Sequence, residues 1–384
     1  VKFGINSAAL ADAINAAISS IATKSTSPVM GGVLIEAQIG TVTLSSFNYD
    51  RATVRVVPAD VMDTDTVLVS GRLLGAVAGN LPKKDTETTV TVDGNQLLIA
   101  AGRTVFQLPM MQVQDYPHLP AMASEDLIGT VDRDLFTEAV KVVGGFASND
   151  VLPANLAALN MLCTPDQITL RATDRYIIGN RRIPWSGHED KEISVAAADV
   201  LATIKALSDH TTGDVEVLFN GSMFGLRTKS TTVMTRVLEL EEKERFPDTG
   251  RIMAWPQFFA TATIPPVEAL QSMLKRAMSI ADDLVAQVDL DVDDGLLSVT
   301  TTHSATGNIS DELQVTHHGG HRKIAVSSRR LHAALAIIDD PMVTLAFRPE
   351  GCICTCTRGE IDENLAQPDT DTIALVGGIY GARR

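Results

Sequence analysis

The chain has 384 residues, of which 45% are hydrophobic and only 4% aromatic, and its formal net charge is −15. At roughly 100–200 residues per domain this length implies two to four domains with aliphatic cores, and the acidic balance argues against a nucleic-acid partner until the distribution of charge is known. No apolar run approaches the roughly 20 residues needed to span a bilayer, and Val1-Lys2-Phe3-Gly4-Ile5 reads as a strand with no signal-peptide core, so a cytoplasmic location and no membrane partner are expected.

In the first third, Leu10, Ile14, Ala17 and Ile18 share one face of an amphipathic helix that follows the opening strand. Strands are expected at 32–38 and 41–45, then a return through Val54 and Val56 and a strand at 66–69. Ser70-Gly71-Arg72-Leu73-Leu74 starts a second helix ending near Asn80-Leu81-Pro82, and strands at 88–93, 96–101 and 104–108 lead to Tyr116-Pro117. Strand, helix, strands thus occurs twice, so each third reads as two half-units of about 60 residues.

The second third repeats the plan. A helix from about 132 to 143 with Asp132 as its N-cap is followed by strands at 157–163 and by the hairpin Ile168–Ile183. A fourth helix runs to Leu207, strands follow at 214–219, 224–228 and 231–238, and Phe246-Pro247 closes the unit. In the last third a helix over 267–281, strands at 284–292 and 296–302, a helix to Ile338, and strands at 343–347, 352–357 and 373–376 complete the pattern.

The hairpin Ile168–Ile183, with its corner Ala172-Thr173-Asp174-Arg175, marks the repeat. An earlier copy runs from Val42 to Ala52 and also carries an Asp-Arg pair, Asp50-Arg51; a fainter third begins at Leu297. Thr43 and Thr169 are 126 residues apart, Ile168 and Leu297 are 129 apart, and the chain is three times 128 long. One domain is written three times, with expected boundaries 1–124, 125–253 and 254–384. The second helices align as Val69-x-x-Arg72, Val195-x-x-Ala198 and Val326-x-x-Arg329. The fold class is α+β, with helices on one face of a continuous antiparallel sheet.

Cys352, Cys354 and Cys356 alternate along one strand and share a face. Three thiolates can begin a metal site, but no fourth ligand lies at zinc-type spacing, and they read as buried free thiols. His317-His318-Gly319-Gly320-His321 offers further metal-ligand chemistry but reads as a solvated turn. There is no phosphate-cradling loop and no nucleophile elbow, so no enzyme site and no cofactor is expected. The six helical windows 8–20, 71–84, 132–144, 197–209, 265–282 and 327–339 hold ten Lys and Arg against nine acids, leaving 22 against 38 elsewhere. The negative charge therefore lies outside the helices, as suits a body that meets DNA on its helical face.

The threefold repeat, with Thr26-Ser27-Pro28-Val29-Met30-Gly31-Gly32-Val33-Leu34-Ile35, Ala172-Thr173-Asp174-Arg175 and Arg245-Phe246-Pro247-Asp248 at their separations, resembles the bacterial DNA polymerase III beta subunit, the sliding-clamp family, over nearly the whole chain. The resemblance implies a non-catalytic head-to-tail homodimer, a six-domain ring that encircles duplex DNA without reading its sequence. It implies the replicative polymerase, an ATP-driven clamp loader and other clamp-motif proteins as partners, and a nucleoid-associated location. It places a partner-peptide pocket at Leu156, Thr173, Arg175, Tyr176, Ile178, Pro247, Arg251 and Ile252, completed by Leu375, Val376 and Ile379 from the tail. It places DNA contacts at Lys24, Arg72 and Asn149; Arg329 and Arg330 join them from their place at the equivalent helix start in the last third, whereas Ala197-Ala198 leaves the middle domain without a cation there. Ring closure is expected to bring Phe106 and Leu108 against Met278–Ile280 of the other subunit. The tail departs from the family's Met-Pro-Met/Val-Arg-Leu type of ending: Gly377-Gly378 removes apolar bulk, so a shallower pocket and an altered partner motif, as suits a divergent or phage-encoded member, are expected. The rival reading is a three-domain repeat scaffold that binds protein partners without encircling DNA.

Overall fold

The computed structural model describes all residues except 22–26, 83–85, 151, 208–212, 250–258, 282–284, 302–306, 339, 349–351, 357–371 and 379–384. The first third carries β1 (Lys2–Asn6), α1 (Ser7–Ala17), β2 (Gly32–Gln38), β3 (Thr41–Phe47), β4 (Arg51–Pro58), β5 (Asp60–Asp63) and β6 (Asp65–Ser70). It continues with α2 (Gly71–Ala78), β7 (Glu87–Asp93), β8 (Gln96–Ala101) and β9 (Thr104–Met111). The middle third carries β10 (Leu127–Asp132), α3 (Arg133–Gly144), β11 (Ala158–Cys163), β12 (Gln167–Thr173), β13 (Ile177–Pro184), β14 (Ser186–Gly187) and β15 (Lys191–Ala196). Next come α4 (Ala197–Thr203), β16 (Asp214–Phe219), β17 (Met223–Arg227) and β18 (Thr231–Arg236). The last third carries β19 (Ala260–Ile264), α5 (Val267–Ile280), β20 (Gln287–Asp293), β21 (Leu296–Thr300), β22 (Ser310–Gln314), β23 (Thr316–Gly319) and β24 (Arg322–Ser327). It ends with α6 (Ser328–Ala336), β25 (Val343–Phe347), β26 (Cys352–Cys356) and β27 (Thr372–Gly377).

Local chemistry explains where the helices begin. Asn6 Oδ1 accepts the amides of Ala8 and Ala9 at 2.9 and 3.2 Å, and α1 then buries Leu10, Ala13, Ile14 and Ala17. Asp132 accepts the amide of Leu135 at 2.8 Å, the expected N-cap of α3. Ser327 Oγ accepts the amide of Arg330 at the start of α6. The three second helices keep their register, because Arg72, Ala198 and Arg329 are each the second residue of α2, α4 and α6, and all three are exposed.

The chain falls into two compact units. One comprises Val1–Thr137, Trp185–Glu189 and Ala198–Leu238; the other comprises Glu138–Pro184, Asp190–Ala197 and Glu239–Arg384. The first holds a 14-stranded sheet in the order β14-β10-β16-β17-β18-β4-β3-β2-β6-β9-β8-β7-β1-β5. The second holds a nine-stranded sheet, β15-β11-β12-β13-β27-β26-β25-β19-β23, and a four-stranded one, β22-β21-β20-β24. Every pairing within them is antiparallel, and among the described residues the expected continuous sheet is carried as these three hydrogen-bonded sheets. The widest seams between different thirds are β4–β18, with Thr231–Thr235 opposite Arg51–Arg55, and β13–β27, with Ile177–Arg181 opposite Thr372–Val376. Within the first third, β6 and β9 share two paired positions, and β1 pairs with β7 from Lys2 opposite Thr91 to Asn6 opposite Glu87.

The aliphatic core expected from the composition is present. In the first unit Phe3, Leu10, Ile14, Val33, Leu44, Leu74, Leu97 and Ile99 pack in one cluster, all at most 2% exposed. The repeat extends to partly buried ion pairs. Arg55 on β4 meets Asp12 of α1 at 2.7 Å, and Arg181 on β13 meets Glu138 of α3 at 2.8 Å; both acids and both arginines are separated by 126 positions.

Three sequence expectations change. First, the Asp-Arg pairs of the two hairpins are out of register. Asn48 Oδ1 accepts the amides of Asp50 and Arg51, and Asp174 Oδ1 accepts those of Tyr176 and Ile177, so Asn48 is the counterpart of Asp174. The next residue, Tyr49 or Arg175, takes the left-handed conformation at φ 74° and 81°, which a side-chain-bonded corner tolerates. Second, His317–Gly319 is not a turn but part of β23, an edge strand paired with β19. Third, short strands were missed at β5, β14, β19, β22 and β23, where runs of two to five residues are too brief to show alternation.

Candidate functional site

The β12–β13 hairpin turns at Thr173-Asp174-Arg175-Tyr176, and both flanks of the turn are occupied. Thr173 Oγ1 accepts the Arg175 amide at 3.1 Å, so the hydroxyl already shapes the corner. Asp174 uses its two carboxylate oxygens differently: Oδ1 closes the turn, while Oδ2 takes the Arg330 guanidinium, Nη2 at 3.0 Å and Nε at 3.1 Å. The same guanidinium lies 4.5 Å from the ring centroid of Tyr176. Tyr176 is 59% exposed, although its backbone carbonyl accepts the Gly377 amide at 2.8 Å.

Behind the corner the wall is apolar. Ile177 and Ile178 pair with Val376 and Leu375 of β27; Ile178 and Val376 are buried, and so is Leu156. Leu156 is fixed by its backbone, its carbonyl accepting from Ser148 at 2.7 Å and its amide donating to Pro153 at 3.0 Å. Asn155 Nδ2 donates to the Arg245 carbonyl at 3.2 Å, which brings the loop before β11 to the segment carrying Pro247, itself half-buried. Leu152 in that loop is 76% exposed. Gly179 on β13 is packed so closely by Phe146 that a Cβ there would collide with the ring. An exposed aromatic and an exposed aliphatic side chain beside a buried apolar wall suit an apolar peptide, with backbone groups and Arg175 for orientation.

Of the residues expected here, Leu156, Thr173, Arg175, Tyr176, Ile178, Pro247 and Val376 lie in the same unit around this corner, and Leu375 joins them through the β27 backbone. Arg251, Ile252 and Ile379 lie outside the described residues, as does Lys24 of the DNA set. Arg72, Asn149 and Arg329 are exposed, whereas Arg330 turns to the hairpin corner. Phe106 is half-buried and Leu108 is 7% exposed within the core of its own unit; Met278 and Ile280 are half-buried near the end of α5.

One residue beneath the site was missed. Arg171 on β12 donates to Asn160 at 2.8 Å and to Glu192 at 2.9 Å, and its guanidinium lies 5.2 Å from the Phe246 ring centroid. An arginine alternating with Ile168 and Leu170 was the available signal, since the first copy has Ser45 at that place. Among the described residues no group of three or more His, Cys, Asp or Glu is arranged to hold a metal. His321 instead meets Asp291 at 2.8 Å. Burial pushes the Cys163 thiol up to about 12, which leaves it unreactive. The side chains of Cys352, Cys354 and Cys356 lie outside the described residues, and no described helix is long and apolar enough to cross a membrane.

Residues 1–120 match the family described as DNA polymerase III beta subunit, N-terminal domain. The chain is 30% identical over 360 residues to the beta sliding clamp of Streptomyces coelicolor, covering 90% of this chain and 91% of the relative. It is 33% identical over 261 residues to that of Micrococcus luteus, covering 66% and 83%. Its fold superposes on the DNA polymerase III beta subunit of Thermotoga maritima with a TM-score of 0.87 at 20% identity, over 99% of this chain and all of that one. By its sequence relatives and its fold, the chain belongs to the beta sliding clamp family of DNA polymerase III, non-catalytic processivity factors of DNA replication.

Proposed function

We propose that two copies of this chain close head to tail into a ring of six domains, three per chain (1–124, 125–253 and 254–384), that encircles duplex DNA without base readout. The observation carrying this reading is a pair of open antiparallel edges. Among the described residues, Thr104–Leu108 of β9 pair only with β8, and β22 pairs only with β21. Exposed edges of this kind are templates for another strand, and a closed ring removes both. Phe106 on the first edge, and Met278 and Ile280 beside the second, supply apolar contacts; Arg276 of α5 meets Asp311 of β22 at 2.6 Å and steadies that edge.

In this reading the replicative polymerase, the clamp loader and other clamp-motif proteins present short apolar peptides to the groove around Tyr176, completed by Arg251, Ile252, Leu375 and Ile379. Lys24, Arg72, Asn149 and Arg329 touch DNA phosphates, and the protein works in the cytoplasm at the nucleoid. Topological enclosure makes strong attraction unnecessary, which reconciles the ring with a net charge of −15. The test is loader-dependent retention on closed circular DNA, with release when the circle is cut, alongside a solution mass of twice 41.0 kDa. A monomeric mass with no retention would favour the protein-binding scaffold.

A further inference from the structure

We propose that Arg330 is a positioning residue of the peptide groove, pinned by Asp174 and laid against Tyr176 so that the tyrosine ring stands as a fixed wall. The inference rests on the groove reading given above and deepens it.

Three observations carry it. The Arg330 guanidinium makes a two-point contact with Asp174 Oδ2 and lies 4.5 Å from the Tyr176 ring centroid, so one cation serves both. The Asp174 and Arg330 side chains are 24% and 30% exposed, which places the pair in partial shelter, where a planar guanidinium keeps its geometry better than a lysine would. The Tyr176 backbone is already fixed, by Asp174 Oδ1 at its amide and by Gly377 at its carbonyl, so its side-chain torsions are the freedom that Arg330 removes.

The equivalent corner of the first hairpin lacks this device. Asn48 stands in place of Asp174 and Asp50 in place of Tyr176, so the corner's acceptor carries no charge and its aromatic ring, Tyr49, sits one residue earlier, against Phe47. The assembly of an Asp, an Arg and an adjoining Tyr thus distinguishes the copy that carries the groove from the first. A ring ordered before the peptide arrives spares the complex the cost of ordering it, and rigid Tyr and Arg side chains are the usual anchors of such sites.

The experiment measures binding of a fluorescein-labelled peptide from the clamp-binding tail of a bacterial replicative polymerase to the full-length protein. Arg330→Ala is expected to weaken binding about three- to tenfold, the factor for ordering one side chain at binding, with an unchanged unfolding midpoint. Arg330→Lys, which keeps the charge but loses the planar stack, is expected to recover only part of the affinity. In a Tyr176→Ala background, Arg330→Ala is expected to have no further effect, a coupling that general destabilisation would not produce. Wild-type affinity in Arg330→Ala, full additivity with Tyr176→Ala, or a drop of about one in the salt slope of DNA binding would overturn the assignment. If Tyr176→Ala itself leaves binding unchanged, the groove reading fails, and this inference with it.

Discussion

Asp199, the third residue of α4, lies 3.4 Å from Arg51 at the corner of the first hairpin. The third residue of α6, Arg330, lies 3.0 Å from Asp174 at the corner of the second. In both junctions the third residue of the helix meets the hairpin corner with the charges exchanged, although the hairpin partners are not equivalent, Arg51 aligning with Ile177 and Asp174 with Asn48. A hairpin set against the wrong helix would bring Arg51 to Arg330 or Asp174 to Asp199, and like charges at that distance penalise the wrong partner.

The first pair is not a simple stabiliser. Burial pushes the Asp199 carboxyl above its ordinary value of 3.8, Arg51 pulls it back, and Asp50 adds to the rise. An acid whose folded value is raised contributes stability that is fully present below its unfolded value and lost as pH climbs through the folded one. The stability of the wild type relative to Asp199→Asn should therefore fall as pH rises from 3.8 and level off above the raised value. At neutral pH the variant should be within about 1 kcal/mol of wild type or more stable. Arg51→Ala should be the more harmful change, because it leaves Asp199 beside Asp50 without compensation. Urea midpoints from pH 4 to 7 check both; a wild-type advantage over Asp199→Asn that grows with pH would refute the sign.

Gly179 is required by Phe146. A methyl at 179 would meet the ring, and the residue sits in β13, whose pairing with β27 holds the groove wall. Gly179→Ala should cost about 1–3 kcal/mol through overpacking. Phe146→Leu in the same chain should return part of that loss, read from thermal midpoints. An unaltered midpoint in Gly179→Ala would mean that the ring moves aside freely.

These two sites show what was legible in the sequence. Shifting the chain by 126 residues superimposes Asp12 on Glu138 and Arg55 on Arg181, so the fold and its repeated ion pairs were open to reading. The same shift of 126 places Asn48 on Asp174, but the Asp-Arg pairs shared by the two hairpins are two residues apart in that register, because the corner is set by side-chain acceptance at Asn48 and Asp174 and not by the charged pair. Helix starts were readable from local capping. The partner of Arg330 was not, since position along a helix gives a residue's order but not which neighbour its side chain meets 156 positions away.

Phe106 and Leu108 separate two properties that their sequence position joins. Phe106 is half-buried beside the open edge of β9, whereas Leu108 is buried in the core of its own unit. Phe106→Asp should shift the solution mass from dimer to monomer, with some loss of unfolding midpoint because the ring also packs against the core that holds Leu108. Leu108→Ala should lower folding stability by about 2–5 kcal/mol, the usual cost of emptying a core position. Sedimentation across a concentration series distinguishes the two, and a Phe106→Asp dimer of wild-type strength would remove that edge from the interface.

The helix starts predict how the chain handles DNA. Arg72 and Arg329 are exposed at the second position of α2 and α6, while Ala198 holds that place in α4. On short linear duplex each removed phosphate contact should lower the slope of log affinity against log salt by about one. Arg72→Ala and Arg329→Ala should each show that drop between 50 and 200 mM salt, about the range over which such contacts are read. Ala198→Arg should raise the slope by about one, giving the middle domain the cation it lacks. Retention of a loaded ring on closed circular DNA should survive all three changes, because enclosure and not attraction holds it. Loss of retention in the Arg72→Ala, Arg329→Ala double variant, with the dimer intact, would mean that the ring grips DNA by charge.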